Sequence, residues 1–318
     1  MVYASFGKRV DGMGRDGLPI QIELPAHYLD EEVRCGYTVT SSMKKIWAVE
    51  LDLLAKFDEV CSKHAIQYVA LWGTALGAVR HNGFIPWDDD IDVGMDRENY
   101  DKLCAIAPKE FKEPYFFQNA LTDRAYFSPM ARLRNSLTTA AIRGFDTLDY
   151  NNGIYIDIDI LDGLAQSKVQ WHWQNILKHI ALIPLQSYYG KDRATKGWIR
   201  RICYGLCPIW HLVRYETWCR VYQRIRCMYS KSSDKLGISY SFLFDEWGRW
   251  ITKEDLKLIG RRQFEFLTIP IAGNINEFLI RCYGAYREFP SEEDRGAWHS
   301  NQVRFDVDNS YRELLRKA

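Results

Sequence analysis

The stretch Leu71–Met95, LWGTALGAVRHNGFIPWDDDIDVGM, holds the residues best suited to chemistry. Asp88, Asp89, Asp90 and Asp92 place four carboxylates within five positions. On a strand, Asp90 and Asp92 project from one face, roughly 6.5–7 Å apart along the backbone. Carboxylates side by side repel unless a cation sits between them. Hard oxygen ligands of this kind suit Mg²⁺ or Mn²⁺ with bound phosphates. Upstream, Gly73 and Thr74 break a strand and open a helix. That turn presents backbone N–H groups and a hydroxyl at a helix N-terminus, which attracts phosphate. Arg80 follows six residues later, with His81 beside it. A third carboxylate is expected from a neighbouring strand, and Asp157 in Ile156-Asp157-Ile158 is the best placed. Asp159 shares its face. A plainer reading exists for each residue taken alone. Asp after Pro86 suits a solvated turn, Gly73 suits a tight turn, and Arg80 suits a helix residue paired to an acid. The turn, the arginine and the acidic pair in order, followed by a second acidic strand, favour a metal-and-phosphate site.

The elements that must position these residues are legible in outline. Thr40 or Ser41 can cap a helix whose apolar Met43, Ile46, Trp47, Leu51, Leu54 and Phe57 recur every three or four residues. Gln67–Trp72 predicts a short strand, Ala75–Val79 a helix start, and Asp90–Met95 a second strand. Asp96 can cap a helix through Ile106. Tyr115–Gln118 and Phe127–Leu133 predict further strands. Gly153–Leu161 alternates isoleucine with Tyr155, Asp157 and Asp159, a strand with one apolar face. The order predicts an α+β fold, a mixed sheet flanked by helices. Thr252–Asp255 resembles a capping box opening a helix, and Asn274–Tyr283 a short helix ended by Gly284.

Composition bounds the rest. With 318 residues, 47% hydrophobic and 26% charged, the chain is of ordinary globular type. About 75% of its unfolded surface can be buried at this length. Lys plus Arg number 42 against 41 Asp plus Glu, which excludes a histone-like or polyanionic chain. The eight cysteines form no CxxC pair, no apolar run follows the first basic residues, and no run of ~18 apolar residues occurs. These features predict a cytoplasmic protein with reduced thiols. From Lys191 to Lys235, eleven Lys/Arg face three acids among many Trp and Tyr. That segment suits helices packing on the core, or peripheral contact with an anionic membrane; nothing in it supports a nucleic-acid partner. Cys203, Cys207, Cys219 and Cys227 have spacings that suit buried thiols better than zinc. Tyr68, Trp72 and Trp87 flank the acidic stretch and suit core packing better than an aromatic cage for a cationic headgroup.

The segment GTALGAVRHNGFIPWDDDIDVGM resembles the signature of the LicD family, phosphorylcholine and related phospho-alcohol transferases of the nucleotidyltransferase superfamily. Arg132-Leu133-Arg134 with Thr138 resembles the family's basic strand, and Gly153–Ile158 with Leu161-Asp162-Gly163 its second acidic block. Ile269-Pro270, Phe278-Leu279, Tyr283-Gly284, Pro290 and His299 resemble its C-terminal block. The similarity spans roughly residues 45–165 and 264–300. It implies a nucleotidyltransferase-like core at 39–165, preceded by an arm at 1–38. A helical, basic and aromatic region at 166–263 and a C-terminal segment at 264–318 would pack on that core.

The resemblance also implies chemistry: metal-dependent transfer of a phospho-alcohol from a CDP-activated donor to a hydroxyl of a glycan or lipid-linked glycan, releasing CMP. Asp90, Asp92 and Asp157 would be catalytic and hold Mg²⁺ or Mn²⁺. Gly73, Thr74, Arg80, Arg134 and His299 would bind the donor. Asp159-Ile160 departs from the family's Phe-Pro and adds a carboxylate near the presumed metal. A glycosyltransferase whose DxD holds a nucleotide-sugar, and a non-catalytic glycan-binding subunit, are the competing readings.

Overall fold

A computed structural model describes residues 17–126, 128–142, 149–186, 188, 207–239, 248–295 and 302–317. The chain enters through a short hairpin, β1 (Glu32–Arg34) and β2 (Tyr37–Val39), then α1 (Ser41–Lys63). Thr40 caps α1, its side chain accepting from the Met43 N–H. β3 (Val69–Ala70) leads into α2 (Trp72–Arg80), β4 (Asp92–Asp96) and α3 (Arg97–Glu110), the last capped by Asp96 as its sequence predicts. β5 (Tyr115–Gln118), β6 (Ala131–Asn135), β7 (Thr139–Ile142) and the long β8 (Ile154–Gly163) follow.

The middle of the chain supplies α4 (Lys168–Gln186), α5 (Tyr215–Arg226), β9 (Lys235–Ile238) and β10 (Trp250–Thr252). A hairpin of β11 (Gly260–Phe264) and β12 (Leu267–Ile271), then α6 (Ile275–Tyr283), β13 (Val303–Asp306) and α7 (Tyr311–Lys317), complete it.

The architecture is α+β, with a mixed central sheet in the order β10-β9-β8-β4-β3 and β5-β6 attached through β8. β8 is the hinge of this sheet. One edge runs parallel to β4, and the other is antiparallel to β6 and then β9. Its Ile154, Ile156, Ile158 and Ile160 are buried beneath α1, as the alternation predicts. Two expectations need correction. Residues 166–263 are not wholly helical, because Lys235–Ile238 extends the central sheet through Leu161 and Gly163. The Thr252–Asp255 box forms its hydrogen bonds, with the Thr252 N–H donating to Asp255 Oδ2 at 2.8 Å and the Asp255 N–H to Thr252 Oγ1 at 3.0 Å, but around a turn. The described part of the basic segment packs inward, burying Tyr215, Cys219, Tyr222 and Arg226.

α1 is buried on every side from Ile46 to Leu54, two acids included. Asp52 ties the N-terminal arm down. Its Oδ1 accepts from the N–H groups of Gln21 (2.7 Å) and Ile22 (3.0 Å), and its Oδ2 from the Tyr115 hydroxyl at 2.8 Å. Burial nevertheless pushes its carboxyl up to about 6, from an ordinary 3.8. Between those values the folded chain holds a proton that the unfolded chain has released. Stability from this group therefore falls as pH rises through that window, by about 3 kcal/mol at about 1.4 per unit. In urea denaturation, Asp52→Asn is expected to gain about that much on wild type between pH 4 and pH 6.5. Parallel pH curves for the two proteins would refute it.

Candidate active site

Two contacts stitch the start of α2 to the start of β4. The Asp92 N–H donates to Thr74 Oγ1 at 2.7 Å, and the Leu71 N–H to the Asp92 carbonyl at 3.0 Å. They bring the amide-bearing turn of Gly73-Thr74 beside Asp92. The approach at Gly73 is close: a Cβ there would lie 2.5 Å from Asp88 Oδ2. The Asp88 carboxylate thus rests against the turn, and any side chain at position 73 would push it aside. Asp88 ends a tight turn, its N–H donating to the Ile85 carbonyl at 2.9 Å, while Trp47 of α1 donates from Nε1 to the Asp88 carbonyl at 2.9 Å. The turn that this stretch suits is therefore present, and it carries the first of the clustered acids.

The parallel register pairs Asp92 with Asp157 and Gly94 with Asp159. Paired residues on neighbouring strands share a face, with strands about 4.8 Å apart. Asp157 thus stands on the same side of the sheet as Asp92. Their mutual influence shows in Asp92, whose carboxyl is held well above its usual range by burial and by Asp90, Asp157, Asp159 and Asp88. Carboxylate oxygens of Asp88, Asp89 and Asp90 lie within 4.8 Å of one another. A seventh acid joins from α1. Glu50 of α1 is 1% exposed, its Oε2 meets no hydrogen-bond partner, and burial followed by Asp90, Asp89, Asp88 and Asp92 raises it well above its ordinary value. An all-oxygen, strongly self-repelling donor set fits a hard divalent cation.

The flanking residues divide. Asp157 is gripped by Arg132 of β6, Nε to Oδ1 at 2.5 Å and Nη2 to Oδ2 at 3.3 Å. Arg132 lies 3.7 Å from the centre of the Tyr155 ring. It is the arginine of the basic strand that reaches the acids. Arg134, assigned to the donor, is instead fully buried, donating to the Gln118 side chain and to the Gly153 carbonyl at 2.6 Å. Burial and Arg132 lower it to about 10. Arg80 is likewise engaged away from the acids, with Nη1 donating to the carbonyls of Tyr286 (2.6 Å) and Glu288 (3.1 Å). Its role here is to fasten the C-terminal segment to α2. His299 lies outside the described residues.

Asp159 is buried and accepts from Trp72 Nε1 at 2.7 Å. Trp72 sits at φ 43°, a left-handed backbone that costs a bulky residue roughly 1–2 kcal/mol. That bond and the Phe278 ring, 5.6 Å away, hold it there. The other two flanking aromatics are core: Tyr68 donates to Asp58, and Trp87 packs against His81 and Phe289. Cys219 and Cys227 are free thiols, and Cys203 lies outside the described residues.

A mixed sheet thus sets Asp92 and Asp157 in register beside a helix-opening Gly-Thr turn, with Asp159 two residues on along the same face. Residues 65–184 match the family model described as LicD/FKTN/FKRP, nucleotidyltransferase domain. This stretch of the chain is similar to LicD-family domains. Across 260 residues the chain is 27% identical to the lipopolysaccharide cholinephosphotransferase LicD of Haemophilus influenzae, covering 80% of this chain and 94% of that one. Uncharacterised proteins of Rickettsia prowazekii and Rickettsia typhi match shorter stretches. They are 44% identical over 57 residues and 43% over 61, under a quarter of any chain involved.

Proposed function

We propose that the protein transfers a phospho-alcohol, phosphocholine in the first instance, from a CDP-activated donor to a sugar hydroxyl of a cell-surface glycan. The observation that carries this reading is the register of Asp92 against Asp157 beside the Thr74 turn. It is supported by similarity along most of the chain to a protein named as a lipopolysaccharide cholinephosphotransferase.

In the reaction, the acceptor oxygen bonds to the phosphorus that bears the alcohol. The bond from that phosphorus to the bridging oxygen breaks, and CMP leaves with the electron pair. Phosphoryl transfer of this kind is mostly positioning and charge stabilisation. Asp90, Asp92 and Asp157 are the residues that would hold Mg²⁺ or Mn²⁺. The ion, when bound, neutralises charge on the diphosphate. Arg132 fixes the orientation of Asp157, which as a carboxylate can also accept the acceptor hydroxyl's proton. The Gly73-Thr74 amides face the diphosphate, with Asp88 giving way to it.

A thermal-shift panel tests the reading, using Mg²⁺ with CDP-choline, CDP-ethanolamine, CDP-ribitol, CDP-glycerol, UDP-glucose and GDP-mannose. A donor at 100 times its Kd is expected to add ~2.7 kcal/mol. A Mg²⁺-dependent shift selective for cytidine donors supports the proposal. Selectivity for UDP- or GDP-sugars would point to a glycosyltransferase, and silence with every donor to a binding subunit.

A further inference from the structure

α4 carries apolar side chains on both faces. Its inward face buries Gln174 and Lys178, at 2% and 1% exposure, in its first half and Ala181 and Leu185 in its second. Gln174 donates from Nε2 to the carbonyls of Ile225 (2.9 Å) and Arg226 (3.1 Å), and Lys178 from Nζ to the Ser239 carbonyl at 2.5 Å. Its outward face carries Val169, Trp173, Ile176 and Ile180, exposed by 69, 59, 50 and 59%. At 100° per residue these four fall within a stripe about 60° wide. Core burial cannot explain them, because the core takes the opposite face. A globular helix ordinarily turns its apolar stripe inward. Just past its C-terminal end, Tyr188 meets a second segment with exposed apolar residues. Tyr188 donates to the Val213 carbonyl at 3.2 Å, and Ile209 and Leu212 nearby are 54 and 84% exposed.

Charge identifies the occupant. Residues 165–191 contain no Asp or Glu, and residues 191–201 add five Lys/Arg against one Asp. Lys168, His172 and His179 flank the stripe, all exposed. A second copy of this chain would set like charge against like across a two-fold interface. An anionic bilayer offers the opposite charge together with an apolar layer, and Trp suits its boundary. At 19 residues, with its inner face engaged by the protein, α4 can only lie along such a surface; among the described residues no helix is long and apolar enough to cross a membrane. We infer that the outer face of α4, continued by Ile209 and Leu212, seats the protein on the surface of an anionic membrane. The contact is centred on the helix just before 191–235, the segment where composition alone places it, and takes in Ile209 and Leu212 of that segment. It stands independently of the donor chemistry.

The test is co-sedimentation of the full chain with vesicles of phosphatidylcholine alone and with added phosphatidylglycerol. Wild type is expected to partition at least tenfold more strongly onto the anionic vesicles, with binding that weakens as salt rises. Ile176→Glu with Ile180→Glu removes two exposed side chains, so melting temperature should hold while partitioning drops at least tenfold. Lys168→Gln, a milder variant, should reduce binding to anionic vesicles alone. Equal partitioning of wild type and the double variant overturns the proposal. So does a wild-type dimer, seen by analytical ultracentrifugation, that the double variant dissociates.

Discussion

Asp92→Asn is expected to reduce kcat about a thousandfold or more while leaving the fold intact. The residue has no structural partner that its side chain must satisfy: the contacts it makes to Thr74 and Leu71 run through its backbone. Its carboxylate instead faces Asp90, Asp157, Asp159 and Asp88, all of which oppose its ionisation. Such a group is costly in the empty protein and useful only with a counter-charge. Asparagine keeps the shape and removes the repulsion, so the metal-free protein should melt no lower than wild type. What is lost is charge stabilisation in the transition state, where removing one well-placed group typically costs ~10²–10³ and a metal ligand more. Two measurements check this together, turnover with CDP-choline and the rise in melting temperature on adding Mg²⁺. Wild-type turnover with an undiminished Mg²⁺ response would remove Asp92 from the site. Full loss of activity with a melting temperature many degrees lower would make the residue structural.

Much of this site can be read from residue spacing, because its parts are local. A two-residue period puts Asp157 and Asp159 on one face of β8, and the buried isoleucines between them fix which face that is. The Asp96 cap and the Tyr115–Gln118 strand are likewise set by neighbours in the chain. Long-range pairing is what escapes such a reading. Period two places Arg132 and Arg134 on the same face and cannot choose between them. The choice is made by antiparallel pairing that sets Arg132 opposite Asp157 and Arg134 opposite Tyr155. Arg80 is claimed by carbonyls some 206 and 208 residues away. Glu50 did leave a signal: an acid between Trp47 and Leu51, on a helix stretch apolar on both flanks, has to be buried somewhere. The short strands β9 and β10 are held mainly by β8 and by each other, so their own residues carry little pattern.

The largest stability effect is expected at Asp162, five residues beyond Asp157 on β8. Its side chain is fully buried between two guanidiniums. Arg97, the first residue of α3, donates Nε to Oδ1 at 2.9 Å and Nη2 to Oδ2 at 2.6 Å. Arg226, the last residue of α5, brings Nη2 within 3.3 Å of Oδ2 and is itself wholly buried, while Ser239 donates to Oδ2 at 2.9 Å. Burial alone would raise this carboxyl; Arg226 and Arg97 outweigh it and hold it below its ordinary value. The next residue shows how tight the junction is, since a Cβ on Gly163 would meet Ser230 Cα at 2.5 Å. One carboxylate therefore joins the strand that carries Asp157, the helix that follows Asp92 and the helical layer packed on α4. Asp162→Asn keeps the volume but removes the counter-charge of the buried Arg226 and the part-buried Arg97, which should cost about 3–5 kcal/mol in urea denaturation at pH 7. The exposed pair Glu98–Lys102 provides the contrast, and Glu98→Gln should change stability by under about 0.5 kcal/mol. Because the folded carboxyl is depressed, its contribution is complete above the unfolded value of about 3.8 and is lost as pH falls below it. The Asn variant should therefore lose less stability than wild type on acidification through that range. A loss at neutral pH no larger than that of the Glu98 variant would show that the two arginines find other partners, and that the junction is held by packing alone.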